Sequence, residues 1–71
     1  MNRAMQLRHL EEAERHIFQG ERHIAEQEER VADLARLGAN TTEARTLLNL
    51  FYATQAQHIQ HRDRILKELE Q

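Results

Sequence analysis

Along the first half of the chain, apolar residues return at alternating steps of three and four. Leu10, Ile17, Ile24 and Val31 recur every seven residues, with Ala13, Gly20, Gln27 and Leu34 between them. Seven residues are nearly two helical turns, so these positions line one side of a helix as a narrow seam. The repeat is reinforced by Arg-His-Leu at 8–10 and Arg-His-Ile at 15–17 and 22–24, with a degraded copy in Glu29-Arg30-Val31. A seam of this kind is a packing surface and needs a partner. It predicts a first helix from near Asn2 or Arg3 to about Leu37, roughly 50 Å long at 1.5 Å per residue.

The pattern breaks at Leu37-Gly38-Ala39-Asn40-Thr41-Thr42-Glu43. Gly38 is placed to take the left-handed position that ends a helix, with Leu34 and Ala39 making the accompanying apolar contact. Asn40 or Thr41 then caps a new helix, and Asn40 followed by Glu43 has the spacing of a capping box. With the turn at 38–41 so short, the helices must lie antiparallel side by side. The second helix, about 42–70, carries Ala44, Leu47, Leu48, Phe51, Tyr52, Ile59, Ile65, Leu66 and Leu69 over a face too broad for one neighbour. The expected architecture is therefore all-α: a single helical-hairpin domain that dimerises with a second copy into an antiparallel four-helix bundle. Its core and dimer contacts are expected from Leu10, Ile17, Gly20, Ile24, Val31 and Leu34 on the first helix. Leu47, Leu48, Phe51, Ile59, Ile65, Leu66 and Leu69 are the expected contributions of the second.

Polar residues interrupt both faces. Gly20 falls on the seam, where it either lets another backbone approach closely or is tolerated with a slight bend, at about 0.5–1 kcal/mol relative to alanine. Gln55, His58 and Arg62 lie within the apolar face of the second helix. If residues i and about 79 minus i are level across the hairpin, Arg62 comes near Ile17 with Glu14 and Glu21 in reach, and Gln55 comes near Ile24 and Gln27. These side chains either form a polar layer that fixes register or escape to solvent at the seam's edge.

Composition agrees with two long helices and bounds the rest. Proline and cysteine are absent from the 71 residues, and glycine occurs at 20 and 38 alone. Disulfides and cysteine-based zinc sites are excluded. A chain this short buries too small a fraction of its surface to be comfortably stable alone, which again points to self-association. No window approaches the roughly 18 apolar residues of a membrane span, so a cytoplasmic protein is expected. Ten Lys and Arg against twelve Asp and Glu leave a net charge of -2 and no global attraction to nucleic acid or anionic lipid.

Candidate chemistry is sparse. His9, His16 and His23 flank the seam at intervals of seven, about 10.5 Å apart, too far to share an ion held at about 2 Å. Across the hairpin the same register makes His16 level with His61 and His23 level with His58, two pairs that could hold zinc or another transition metal with help from Glu12 or a symmetry mate. The alternative is solvated histidines or hydrogen-bonded partners of glutamates. Arg8, Arg15 and Arg22 form a basic stripe, and a hairpin dimer bearing one resembles in architecture the plasmid copy-control hairpin that grips paired RNA loops. Interleaved glutamates weigh against that reading, because Glu11 with Arg15 and Glu26 with Arg30 have the spacing of helix-supporting ion pairs. Phe18, with Leu7, Ala25 and Ala32, points away from the seam as a thin second apolar stripe. It is either a contact for another protein or an ordinary exposed side chain. The chain has no Ser or Cys, and no nucleophile is paired with a base, so neither enzymatic activity nor a cofactor is expected.

The segments Ala13-Glu14-Arg15-His16-Ile17 and Gly20-Glu21-Arg22-His23-Ile24 with Gln27, then Gly38, Thr41, Ala44, Leu47-Leu48, Phe51, Gln55, His58 and His61-Arg62-Asp63-Arg64, carry a resemblance over nearly the whole chain. They resemble a group of short, uncharacterised proteobacterial proteins, often found in soil and root-nodule bacteria. The resemblance implies a stand-alone helical hairpin and brings no catalytic or binding residues with it. The function expected is a non-enzymatic interaction or adaptor module acting as a homodimer, with itself and potentially another protein as partners. Nucleic-acid binding through Arg8, Arg15 and Arg22 is the alternative. Metal binding through His16, His23, His58 and His61 is the third.

Overall fold

The computed structural model describes residues 2–71, and among them it contains two helices and no strand. Helix α1 spans Arg3–Arg36 and helix α2 spans Thr42–Leu69, folded into an antiparallel hairpin measuring 54 × 14 × 13 Å. Asn2 starts α1: its side-chain oxygen accepts from the Met5 amide at 3.2 Å, satisfying one of the donors a helix start leaves without a partner. Neither helix is long and apolar enough to cross a membrane.

The chain reverses at Gly38, whose φ of 70° is the left-handed conformation glycine adopts without steric cost. Its amide donates to the Ala35 carbonyl at 3.1 Å, and that of Ala39 to the Leu34 carbonyl at 2.9 Å, the paired bonds of a Schellman ending. The capping box does not form. Helix α2 starts one residue later than that motif needs, with Thr41 at the N-cap, so Glu43 falls at the second helical position instead of the third. Asn40 instead accepts from the Thr42 amide at 2.9 Å, and Thr41 Oγ1 accepts from Arg45 Nε at 3.0 Å.

Between the helices runs one seam. On α1 it comprises Gln6, Leu10, Ala13, Ile17, Gly20, Ile24, Gln27, Val31 and Leu34. On α2 it comprises Ala44, Leu48, Phe51, Gln55, His58, Arg62, Ile65 and Leu69. Every one is buried or half-buried, and the steps alternate strictly between three and four on both helices, the signature of knobs-into-holes packing. The broad face expected of α2 thus resolves into a narrow seam with flanks. Leu47 and Leu66, expected in the core, lie on opposite flanks and stay 40% and 39% exposed within the hairpin. Ile59 is half-buried beside the seam.

The register also differs from the symmetric expectation. Facing partners include Ile17 with Gln55, Gln27 with Ala44 and Gln6 with Glu68. These α2 partners lie seven, eight and five positions earlier than expected, a shift of roughly 1.4 to 2.2 helical turns. The turn explains the shift: left-handed Gly38 folds the chain back beside the last turn of α1, and Thr42 starts α2 alongside that turn rather than above its end. Arg62 consequently does not reach Glu14 or Glu21, and its Nε pairs with Asp63 at 2.9 Å.

Candidate functional site

Seam geometry fixes what each flank of the rod carries, because the rows beside a seven-residue repeat repeat every seven residues themselves. The first flank gathers the imidazoles. His9, His16 and His23 border the α1 seam, and His58 and His61 approach from α2. The rings of His16 and His58 lie with centroids 5.4 Å apart, tilted by 45°. His23 packs instead against Phe51, at 5.9 Å. His23 and His58, an expected pair, line one notch but make their ring contacts with Phe51 and His16. His61 shares a shallow groove with His9, Glu12, Ala13 and His16. Among the described residues no three His, Asp or Glu side chains are grouped so as to hold an ion between them.

A notch of about 110 Å³ opens on this flank between His16, Gly20, His23, Phe51 and His58, with Gln55 forming its floor. Gln55 is 8% exposed, and its Nε2 donates to the Ile17 carbonyl at 2.9 Å. Its Oε1 is buried with no conventional hydrogen-bond partner and is turned toward Gly20, where a side-chain Cβ would sit 1.9 Å away. That oxygen occupies the space a side chain at position 20 would take. Gly20 is thus filled by a side chain from α2, neither approached by a foreign backbone nor merely tolerated. Of the two readings of the polar residues in the seam, Gln55 follows the inward one.

Two further glutamines share the seam. Gln27 Nε2 donates to the Ala44 carbonyl at 2.9 Å, and Gln6 Nε2 donates to Glu68 at 3.1 Å. Gln6 extends the seam one step of four before Leu10, a place that its polarity hides from a pattern of apolar residues.

The opposite flank is acidic and apolar. Glu14, Glu21 and Glu28 follow one another at seven-residue spacing on α1, and the Tyr52 hydroxyl from α2 donates to Glu28 Oε2 at 2.5 Å. That bond to a carboxylate raises the Tyr52 pKa above its ordinary 10.0, with desolvation and the glutamate's charge acting in the same direction. Phe18, 61% exposed, lies further round α1 on this side. Arg8, Arg15 and Arg22 are exposed on the back of α1, turned away from the seam. Among the described residues the ion pairs are Arg36 with Asp33 and Arg62 with Asp63, so Glu11 with Arg15 and Glu26 with Arg30 do not close. Exposed pairs gain about 0–1 kcal/mol against the rotamer freedom they lose, which explains their absence.

No family model matches this sequence, and it has no significant match to a curated protein or to a solved structure.

Proposed function

We propose that the chain is a small interaction module without catalytic chemistry of its own, completed by pairing with a second copy into a four-helix bundle. The observation that carries this reading is the imbalance between what one hairpin buries and what it leaves in water. Among the described residues its apolar core consists of Ala13, Ile17, Val31 and Ile65, whereas Phe18, Leu37 and Leu50 are 61%, 80% and 59% exposed and five other large apolar side chains are exposed with them. A domain of this size is marginal even with a full core, and this seam gives three of its positions to glutamine. Covering a flank with a copy adds the missing burial and links stability to concentration. Sedimentation velocity and thermal melts over a hundredfold concentration range test it. The expected result is a dimer whose melting temperature rises with concentration. A cooperatively melting monomer at every concentration overturns the reading.

The exposed Arg8, Arg15 and Arg22 support a second reading, in which the back of α1 contacts a phosphate backbone. Retention on RNA or duplex DNA that weakens with salt, and that is lost when the three arginines become glutamine, would favour it over the first.

A further inference from the structure

We infer that His16 and His58 are half of a tetrahedral zinc site whose other half is the same two residues of a second copy, so that the metal joins the two hairpins. This rests on the pairing proposed above and names its contact.

Two imidazole nitrogens held about 2.0–2.1 Å from one tetrahedral ion place their ring centres about 5 Å apart. His16 and His58 meet that requirement at 5.4 Å, with one ring from each helix and the spacing fixed by the seam. His58 is a seam residue and half-buried, which limits its rotamers, while His16 stands exposed at the rim. A tetrahedral structural site needs four ligands. One hairpin does not supply them, since among the described residues no third His, Asp or Glu joins the pair. A two-fold axis through the ion supplies two more at once, and such an isologous contact is the commonest way for identical chains to meet.

The position of the pair and the character of the two flanks both favour this geometry. His16 and His58 lie near the middle of their helices, Arg3–Arg36 and Thr42–Leu69, so an axis there overlays most of two 54 Å rods. The notch of about 110 Å³ beside them, floored by Gln55, is open to the partner's ring. Leu47 borders the same flank and Leu50 lies one turn before Thr54 of the notch; they are 40% and 59% exposed and would be covered by the second rod. The other flank would instead set Glu14, Glu21 and Glu28 of two copies against one another.

The test uses the untagged full chain at neutral pH, with sedimentation velocity and bound-metal analysis in the presence of either a chelator or zinc. Cobalt(II) serves as a spectroscopic probe of tetrahedral coordination. Expected are one zinc per two chains, a shift from lighter species to dimer on adding the metal, a higher melting temperature, and intense visible cobalt bands. His58→Ala and His16→Ala should each abolish the zinc-induced shift, while His23→Ala, whose ring packs on Phe51, should keep it. Helicity measured under chelator separates loss of ligand from loss of fold. One zinc per chain without association, or zinc binding that survives loss of both histidines, overturns the site. A dimer that forms equally under chelator and takes up no zinc overturns the site but leaves the pairing standing. A monomer under all conditions removes both.

Discussion

The seam holds two kinds of layer that behave differently. Around Ala13, Ile17 and Ile65 it is apolar and closed, with each side chain no more than 8% exposed. At Gln6, Gln27 and Gln55 it is polar, and each amide reaches across to one defined acceptor on the other helix. Apolar layers are non-directional: any similar side chain slid into the same place would satisfy them nearly as well. Amide layers are satisfied in a single register. A slip of α2 by seven residues would set Leu48 or Arg62 against Gly20 and leave the polar groups on both helices without their partners. The apolar layers therefore supply cohesion, and the glutamine layers select which of several heptad-related alignments is used.

Mutations can pull the two roles apart. The largest effect is expected at Ile65, where truncation to alanine in a site 3% exposed should cost about 2–5 kcal/mol. In a domain this small that is enough to unfold the chain, seen as loss of helical circular dichroism at 25 °C. Next comes the layer at Gly20. Gly20→Ala drives a Cβ into Gln55 Oε1 and should destabilise by about 1–3 kcal/mol, because the buried amide loses its place. In a Gln55→Ala background the same substitution should instead stabilise by about 0.5–1 kcal/mol, the ordinary helix preference of alanine over glycine. A double-mutant cycle by denaturant unfolding that shows simple additivity would break the assignment.

A smaller effect should follow Gln27→Ala, about 0.5–1.5 kcal/mol for the lost bond to the Ala44 carbonyl. The smallest lies outside the seam altogether, at Tyr52. Its pKa is raised in the folded chain, so the bond to Glu28 contributes at pH values below the tyrosine's unfolded value near 10.0. That contribution disappears as pH climbs through the higher folded value. Alkaline difference absorbance should show a tyrosine midpoint above 10.0 that returns toward 10.0 in Glu28→Gln.

Much of this architecture is legible in the residues. The seven-residue return of Leu10, Ile17, Ile24 and Val31 gives α1 its seam, and Gly38 with Leu34 and Ala39 gives the reversal, because both are local patterns with local causes. The α2 seam was hidden. Its members include Gln55, His58 and Arg62, while the more apolar Leu47, Tyr52 and Leu66 sit beside it, so hydrophobicity alone does not separate the seam within the hairpin from its flanks. The strict alternation through Ala44, Leu48, Phe51 and Gln55 was the better guide. Pairing across the hairpin could not be read at all, since it depends on where α2 starts relative to the last turn of α1. A shift of five to eight residues sets His16 against His58 and His23 against Phe51 while leaving each helix unchanged.

The position of the turn also dictates an order of events. Contacts nearest Gly38 join residues close in sequence: Gln27 and Ala44 are 17 positions apart, Ile17 and Gln55 are 38, and Gln6 and Glu68 are 62. Closing a short loop costs less chain entropy than closing a long one, and each bridge made shortens the loop that the next must close. The hairpin therefore zips from Gly38 outward and frays from its free ends, with backbone amides near Gln6 and Glu68 exchanging with solvent before those flanking the reversal.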